Sequence, residues 1–326
     1  MGRVHQLIDA HGKKAALEHV KGRRAASVIE AAWATMLDER AGAVASFIYS
    51  GWCHAGLPHR KKGLADSDAW AIRTDHVTLT VEPGWIEQEC GSRRYFGVPY
   101  GPTARLILIY LQTRALETGC REVELGRSLR QFLSRLDLEQ GGRTNRAVRE
   151  QIERISNCRL TFRLNKGGVR GVSNQSIVET AVFFGDEEDA RQPCMFVDTL
   201  KLSHSFFEHL QRHAVRLDEA AIRKIHNNSR ALDVYCWLAF RLPYLDKDTA
   251  ISWAALRPQF GAGISLERNF RLLFADDLRL ALSVYPEARA EPTPAGVLLR
   301  PSPPATASQA PPPTSKGLAL VVGSAP

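Results

Sequence analysis

The sequence predicts an α+β fold in which a small helical unit carrying a β-hairpin occurs twice in tandem. The order helix, strand, helix, turn, helix, hairpin fits residues 103–184, and a weaker copy of that order fits residues 218–300. From residue 301 onward, Pro runs alternate with Ala, Ser and Thr, a composition with too little apolar surface to repay the entropy of ordering. We therefore expect two tandem winged-helix domains, an N-terminal helical extension and a disordered Pro-rich C-terminal tail.

Chain length supports this division. At roughly 100–200 residues per domain, 326 residues suggest two globular units and an unstructured remainder. The expected boundaries are a basic, partly helical N-terminal extension at 1–65, winged-helix domain 1 at 66–200, winged-helix domain 2 at 201–300 and a disordered Pro/Ala-rich tail at 301–326. The helix of the extension is expected from Lys14 to Arg40, and its packing partner is not evident from the pattern.

Composition excludes several classes of protein. Hydrophobic residues make up 44% and charged residues 24%, which is ordinary for a globular protein and excludes global disorder. No apolar run approaches the ~18 residues of a membrane helix, and no secretory signal follows Met1. The six cysteines are 30 to 42 residues apart without a C-x-x-C pair, so we expect reduced thiols. We expect a cytoplasmic protein with no metal, no cofactor and no membrane partner.

The positive charge is concentrated in two segments. Of a net charge of +8, residues 1–62 hold +5 and residues 121–170 hold +6, whereas residues 218–285 hold only +1. A basic segment fits a polyanionic partner but does not establish one. The location of the second segment is informative because it coincides with the predicted helix-turn-helix.

The first copy has the clearest signals for helix ends and turns. Pro102 and Thr103 are suited to open a helix that Gly119 ends, and Ser128 is suited to cap the next helix, with Gln131 closing a capping box. The remaining expected elements are a strand at 123–125, a helix at 129–136, a turn at 141–142, a helix at 145–157 capped by Thr144, and β-runs at 158–164 and 176–184 joined by a basic loop at 165–174.

The residue pattern of the helix at 145–157 predicts contact with DNA. In a helix-turn-helix the second helix meets base edges near its N-terminus. Arg bonds guanine and Asn bonds adenine bidentately in the major groove, for about 1–3 kcal/mol of discrimination per good pair. We expect the arginine and asparagine side chains near the start of this helix to point away from the core face formed by Val148, Ile152 and Ile155. The predicted contacts of the helix and of its wing loop are Arg143, Thr144, Asn145, Arg146, Arg149, Lys166 and Arg170.

The second copy is less complete. Helices are expected at 229–242 and 253–260, a short strand at Ala250-Ile251, and a final helix capped by Ser265, with Leu266 and Phe270 on its core face. Residues 296–300 supply one strand of a hairpin, and the other is not visible. Arg268, Asn269 and Arg271 are its candidate DNA contacts, although the same helix equally suits dimerisation or a purely structural role.

Enzymatic activity is not expected. His209 and His213 have the i, i+4 spacing of a zinc pair, but no H-E-x-x-H motif is present and a solvated helix face is the better interpretation. No phosphate-binding G-x-x-x-x-G-K-[ST] loop and no G-x-S-x-G elbow occur either. A nicking enzyme would use closely spaced histidines with a Tyr nucleophile, and no His-x-His pair exists.

Three runs of sequence resemble the plasmid-encoded RepA replication initiators. They are VPYGPTARLILIYLQ at 98–112, REVELGRS at 121–128 and GRTNRAVREQ at 142–151. The resemblance covers roughly residues 70–285. It implies a bacterial protein that binds repeated sites (iterons) on the double-stranded DNA of a plasmid origin, helps to open the duplex, and recruits host replication initiator and helicase proteins. It further implies two winged-helix domains and a possible homodimer.

A winged-helix transcriptional repressor, acting on its own promoter, is the alternative that the sequence leaves open. Repressor and initiator both need only a docked helix and symmetry, so the residues do not separate them. A nuclease or primase is a third hypothesis, which the missing catalytic motifs disfavour.

Overall fold

The computed structural model describes residues 3–38, 44–74, 77–126, 128–166, 169–181 and 199–306. Contacts divide the chain into two compact units. The terminal unit comprises the described residues of Met1–Gly56, Ile72–Asp75 and Val215–Pro312, and the central unit those of Leu57–Ala71 and His76–Ala214. Among these residues, every helix is too short or too polar to cross a lipid bilayer.

The combination of helices and small sheets confirms the expected α+β class. The helices are α1 (Arg3–Glu18), α2 (Arg23–Leu37), α3 (Gly101–Thr118), α4 (Leu129–Arg135), α5 (Gly142–Asn157), α6 (His204–Arg212), α7 (Glu219–Ile225), α8 (Ser229–Arg241), α9 (Trp253–Phe260) and α10 (Glu267–Ser283). The strands are β1 (Ala45–Tyr49), β2 (Trp70–Arg73), β3 (Val77–Glu82), β4 (Trp85–Glu87), β5 (Arg93–Tyr95), β6 (Glu122–Glu124), β7 (Arg159–Lys166), β8 (Val169–Ser176), β9 (Val178–Ala181), β10 (Thr199–Leu202), β11 (Ala214–Asp218), β12 (Thr249–Ser252), β13 (Arg289–Thr293) and β14 (Gly296–Arg300).

The N-terminal extension contains two helices where the sequence predicts one. The predicted helix at 14–40 is interrupted between α1 and α2, where Gly22 adopts a φ of 95° that glycine accepts without the steric cost of a side chain. Its last two residues lie outside the described part. The helices pack around Ile8, Ala16 and Ile29, and α2 also packs on α7 and α10 of the same unit. These contacts identify the packing partner that the sequence leaves open.

The terminal unit supplies the hairpin strand that is not visible in the sequence. β13 pairs antiparallel with β14, and β14 pairs on its other side with β12, so the strand order is β12-β14-β13. β13 has the sequence RAEPT, in which charged residues and Pro292 suppress the apolar alternation typical of a strand. Hydrogen bonding to β14, rather than its own propensity, holds it extended.

The helices α8, α9 and α10 enclose an aromatic core in the terminal unit. Rings of Trp237, Trp253, Phe260, Phe270 and Phe274 contact one another with centroids 5.2–6.4 Å apart, mostly edge to face. The same rings fix the position of α10 on the core. They confirm the apolar face predicted for α8 and the place of Phe270 on the core face of the final helix.

The central unit repeats the strand order of the terminal unit. β10 lies between β6 and β9 and pairs antiparallel with both, just as β14 lies between β12 and β13. In each unit the strand that precedes the helical pair is therefore hydrogen-bonded to the last strand. The connection between β9 and β10, residues 182–198, lies outside the described residues.

The hairpin that the sequence predicts at 158–184 is arranged differently. Residues 165–174, expected as a loop, lie mostly in β7 and β8, which pair with each other from Arg159↔Ser176 to Lys166↔Val169. β7 pairs on its other side with β3, in which buried Val77, Leu79 and Val81 alternate with less buried residues. The apolar alternation of Leu160 and Phe162, both buried against the core, favours this longer pairing.

Part of the predicted disordered tail packs on the terminal unit. Ser302 is buried, and its hydroxyl accepts a hydrogen bond of 3.0 Å from the backbone N–H of Arg289. The Tyr285 hydroxyl donates to the backbone oxygen of Pro303. The first residues of the predicted tail are thus ordered against this unit, and residues 307–326 lie outside the described part.

Candidate nucleic-acid interface

The helix pair α4 and α5 forms as predicted, with a different start to α5. Ser128 caps α4 by accepting a 3.2 Å hydrogen bond from the backbone N–H of Gln131, as its position indicates. α5 begins at Gly142 with Gly141 as its N-cap, so the prediction of Thr144 as cap is wrong. The chain is extended only as far as Gly141, and Thr144 lies half-buried in the first turn.

Three arginines occupy the outward face of α5. Arg143, Arg146 and Arg149 are spaced by three residues and are all exposed, while Val148 and Ile152 on the opposite side are buried. Among the described residues, Arg143 and Arg146 have no ion-pair partner. Their charge is not neutralised within the described part of the chain, which favours an anionic partner.

Asn145 lies differently from the prediction. It precedes Ile152 by seven residues, two helical turns, which places it near the core side rather than among the arginines. It is half-buried, and its Oδ1 is buried with no hydrogen-bond donor within reach in the described residues. The amide is therefore not presented on the outward face in this structure.

Arg154 anchors the other end of α5. Its side chain is 5% exposed, and its Nη2 lies 2.8 Å from Asp66 Oδ1 and 2.9 Å from Glu150 Oε1. Nη1 donates to the backbone oxygen of Val98 at 3.2 Å. The guanidinium also lies over the ring of Tyr100, 5.2 Å from its centroid. One side chain thus connects α5 to the segment that enters α3 and to the loop at residue 66.

Further hydrogen bonds connect α5 with the same segment. The Tyr100 backbone N–H donates to Gln151 Oε1 at 2.9 Å, and its hydroxyl donates to Glu150 Oε1 at 3.2 Å. Burial and the neighbouring Glu150 carboxylate raise the pKa of Tyr100. Burial also acts to raise the pKa of Asp66, but the hydrogen bonds from Arg154 and Lys61 outweigh it, and the net pKa is lowered. This network orients the outward face of α5 relative to the core.

Arg154 and two further arginines are not among the residues predicted from the sequence. The i, i+4 spacing of Glu150 and Arg154 was a signal for an ion pair. Arg159 and Arg163 are exposed on one face of β7 and follow α5 directly. They lie on the opposite face of the strand from buried Leu160 and Phe162, as the alternation in the sequence indicates. They add two cations to the central unit.

The predicted wing residues are placed by backbone only. Lys166 is the last residue of β7, in register with Val169, and Arg170 on β8 pairs with Asn165. Both belong to strands rather than to the expected loop. Their side chains lie outside the described part of the structure.

In the terminal unit the predicted contacts lie at the start of α10. The helix begins at Glu267 with no side-chain cap, so the prediction of Ser265 as cap is wrong, and Leu266 is 59% exposed rather than in the core. Arg268, Asn269 and Arg271 are all exposed; Arg271 forms an ion pair with Glu267 one turn earlier. The outward charge of this helix is correspondingly lower than that of α5.

Of the two histidines with zinc-pair spacing, His209 and His213, the first has a hydrogen-bonding partner. His209 Nδ1 lies 3.0 Å from Gln175 Oε1. Burial lowers the pKa of both His209 and His213, with Arg212 contributing to each. In the part of the chain that the structure describes, no three His, Cys, Asp or Glu side chains are grouped to hold a metal ion.

One family model matches part of the chain. The family model described as "Plasmid encoded RepA protein" matches residues 98–255, a segment that runs from just before α3 into α9 and contains α5. None of the curated proteins compared with the chain matches it.

Two solved structures show a distant likeness. Crystal structures of selenomethionine derivatives of domains 2 and 3 of RctB cover 70% of this chain and 82% of their own, at 11% identity and a TM-score of 0.45. A second crystal structure of RctB domains 2–3 covers 71% of this chain and 90% of its own, at 11% identity and a TM-score of 0.42.

Proposed function

We propose that this chain is a plasmid replication initiator that binds repeated sites at an origin, because the family model of plasmid-encoded RepA proteins matches residues 98–255. In this proposal it promotes opening of the duplex and recruits host replication initiator and helicase proteins, and it does so by binding alone, without enzymatic activity. The family match supports the step from DNA binder to initiator. The outward face of α5 supports the DNA binding itself.

The single observation that carries the DNA-binding proposal is the row of Arg143, Arg146 and Arg149 on α5. A helix that enters the major groove presents its N-terminal half to base edges, and these residues lie in the first two turns. Arginine is the commonest specific partner of guanine there. Arg154 holds the C-terminal half of α5 through Asp66 and Glu150, and this support is proposed to preorganise the row for DNA. Such preorganisation lowers the entropy cost of association.

The strand orders support a winged-helix interpretation of both units. A first strand paired with the last strand of a C-terminal hairpin, with two helices between them, describes β12-β14-β13 with α9 and α10, and β6-β10-β9 with α4 and α5. In the central unit this makes β9 and β10 the equivalent of the two hairpin strands. The hairpin of β7 and β8, with Lys166 and Arg170 near its turn, is then a second extension beside α5, and we retain both residues as proposed phosphate contacts.

The contribution of the terminal unit is proposed to be weaker and less specific. Arg268 and Asn269 are exposed at the start of α10, but Arg271 is paired with Glu267. Dimerisation is the other use proposed for this unit, since initiators of this kind are expected to form homodimers. Protection of a single half-site or of two symmetrical half-sites in a footprint separates a bound monomer from a bound dimer.

Footprinting tests the interface directly. The wild-type chain selects a preferred site from a pool of random duplexes, and that site is then used for protection assays. Arg143→Ala/Arg146→Ala is expected to remove the protected region, and Arg114→Ala/Arg212→Ala, which removes two exposed arginines from α3 and α6 of the same unit, is expected to retain it. Equal protection by both double variants would contradict the assignment of α5.

A plasmid test separates an initiator from a repressor. A plasmid whose only origin is the DNA flanking this gene is introduced together with the gene into a strain lacking other initiators. Replication supports an initiator, and binding without replication favours a repressor.

Incubation with supercoiled origin DNA and Mg²⁺ is expected to give no nicks, whereas a tyrosyl-linked product would overturn the proposal of a non-enzymatic protein.

A further inference from the structure

The first turn of α2 lies beside the middle of α10. Arg24 Nη1 is 3.1 Å from Asp276 Oδ2. Burial raises the pKa of the adjacent Asp277, and Arg24 is among the cations that oppose this rise, together with Arg230. Two neighbouring carboxyl groups of α10 therefore both experience the charge of Arg24, which places the start of α2 on this helix.

The contact changes the charge of the outward face of α10. Asp276 is paired not only with Arg24 but also with Arg279, whose Nη1 lies 2.8 Å from its Oδ1. One carboxylate is thus shared by two guanidinium groups. On the same face, two turns nearer the N-terminus of the helix, Arg268 is exposed. The face is basic once α2 is included, although residues 218–285 alone hold a net charge of only +1.

Two more cations lie close to Arg24 in the chain. Lys21 and Arg23, immediately before and at the start of α2, are exposed and have no ion-pair partner among the described residues. Arg24 itself is 65% exposed. We name as the α2–α10 basic surface the set Lys21, Arg23, Arg24, Arg268 and Arg279.

The N-terminal helices hold these charges in place. His5 Nε2 lies 2.9 Å from the backbone oxygen of Ser283 at the end of α10, and Lys224 Nζ lies 2.7 Å from Asp38 Oδ2 just after α2. Ile8 and Ile29 are buried between α1 and α2. The extension is therefore fixed at both ends of α2 rather than attached only through the chain.

We propose that the α2–α10 basic surface binds phosphates of duplex DNA beside the bases that α10 faces. The inference rests on the proposed function and assigns to the N-terminal helices a part in it. Double-stranded DNA carries one negative charge per ~1.7 Å of its axis, and lysine or arginine side chains that neutralise phosphates release condensed counterions. Long, exposed cations on a rigid support suit that task, and they add positive charge beside residues 218–285, whose own net charge is only +1.

The test measures how affinity depends on salt. Each neutralised phosphate contributes about 0.9 to the slope of log K against log salt. Lys21→Ala/Arg23→Ala leaves the Arg24–Asp276 pair and the buried side chains intact, and it is expected to reduce the magnitude of the slope by about 1.8. The control, Arg223→Ala/Lys247→Ala, removes two cations elsewhere in the same unit, where Arg223 pairs with Glu219 and Lys247 lies between two aspartates.

Affinities are measured on a 30-base-pair random-sequence duplex and on the site selected by the wild-type chain. A reduced slope on both probes, with unchanged footprint boundaries and thermal midpoint, supports the inference. A slope equal to that of wild type and control overturns it while leaving the proposed function intact. Failure of the wild-type chain to bind either duplex contradicts the proposed function itself, and this inference with it.

Discussion

Arg154 Nη2 lies 2.8 Å from Asp66 Oδ1, joining a buried side chain of α5 to a half-exposed carboxylate that lies 88 residues earlier in the chain. The same guanidinium reaches Glu150 and the backbone oxygen of Val98. α5 is thereby held by one planar group with three acceptors. Arg154 thus joins the helix that carries the exposed arginine row to two distant segments of the chain.

Arg154→Lys is expected to lower stability although it keeps the charge. An ammonium group cannot reproduce the planar fork that serves three acceptors. Breaking a buried ion pair costs about 3–5 kcal/mol, and because Asp66 is 42% exposed and Glu150 is 35% exposed, we expect about 1–3 kcal/mol here. Arg149→Lys, on the exposed face of the same helix, should stay within about 0.5 kcal/mol of wild type. Urea unfolding monitored by circular dichroism compares the two, and equal midpoints would contradict the role given to Arg154.

The pH dependence of stability is expected to report Asp66. Its pKa is lowered in the folded chain from the ordinary 3.8, so its contribution is fully present above the unfolded-state pKa and is lost as the pH falls through the lower folded-state value. Asp66→Asn should be less stable than wild type at pH 7. That difference should shrink below pH 3.8. A difference in unfolding midpoint that is constant from pH 7 to pH 2.5 would rule out this ion pair as its source.

Gly97→Ala is expected to disturb the same network. Gly97 has a φ of 78°, and a Cβ there would lie 1.8 Å from Arg154 Nη1. Gly119→Ala is the matched control, since Gly119 has a φ of 65° but no atom within 4 Å of the added Cβ. Both changes cost about 1–2 kcal/mol for the left-handed conformation, and only the first displaces Arg154. Equal thermal midpoints for the two variants would contradict this difference.

The sequence predicts the helices of both units better than it predicts how strands pair. The capped helix from Ser128, the glycine end of α3 and the core face of α5 depend on residues within a few positions of one another, and the structure contains them. The pairing of β6 with β10 depends on residues 75 to 79 positions apart, and β13 has no apolar alternation. Such elements are determined by their neighbours in space.

The candidate site shows the same limit. The spacing of Arg143, Arg146 and Arg149 places them on one face by helical period alone. The half-buried position of Asn145 follows from the same period once α5 is known to pack through Ile152. The pairing of Arg154 with Asp66 and of Arg24 with Asp276 joins distant segments, which no local pattern indicates.

The thiols are expected to differ in reactivity. Hydrogen bonding with Ser92, whose Oγ lies 3.0 Å from Cys90 Sγ, lowers the pKa of exposed Cys90, whereas burial raises the pKa of Cys158 to about 12. Because the thiolate is the nucleophile, iodoacetamide at pH 7 should modify Cys90 long before Cys158. Ser92→Ala should slow modification of Cys90 alone. Peptide mass spectrometry measures both rates, and an unchanged rate for Cys90 in that variant would contradict the hydrogen bond.

The affinity of the α5 variants for a selected DNA site tests the central claim most directly. At about 1–3 kcal/mol for each base-reading arginine, Arg143→Ala/Arg146→Ala should weaken binding by at least about 30-fold, since about 1.4 kcal/mol corresponds to a factor of ten. Its thermal midpoint should match that of wild type because both side chains are exposed. Arg114→Ala/Arg212→Ala should bind within a few-fold of wild type. Equal affinities for the two double variants would contradict the claim that α5 reads DNA.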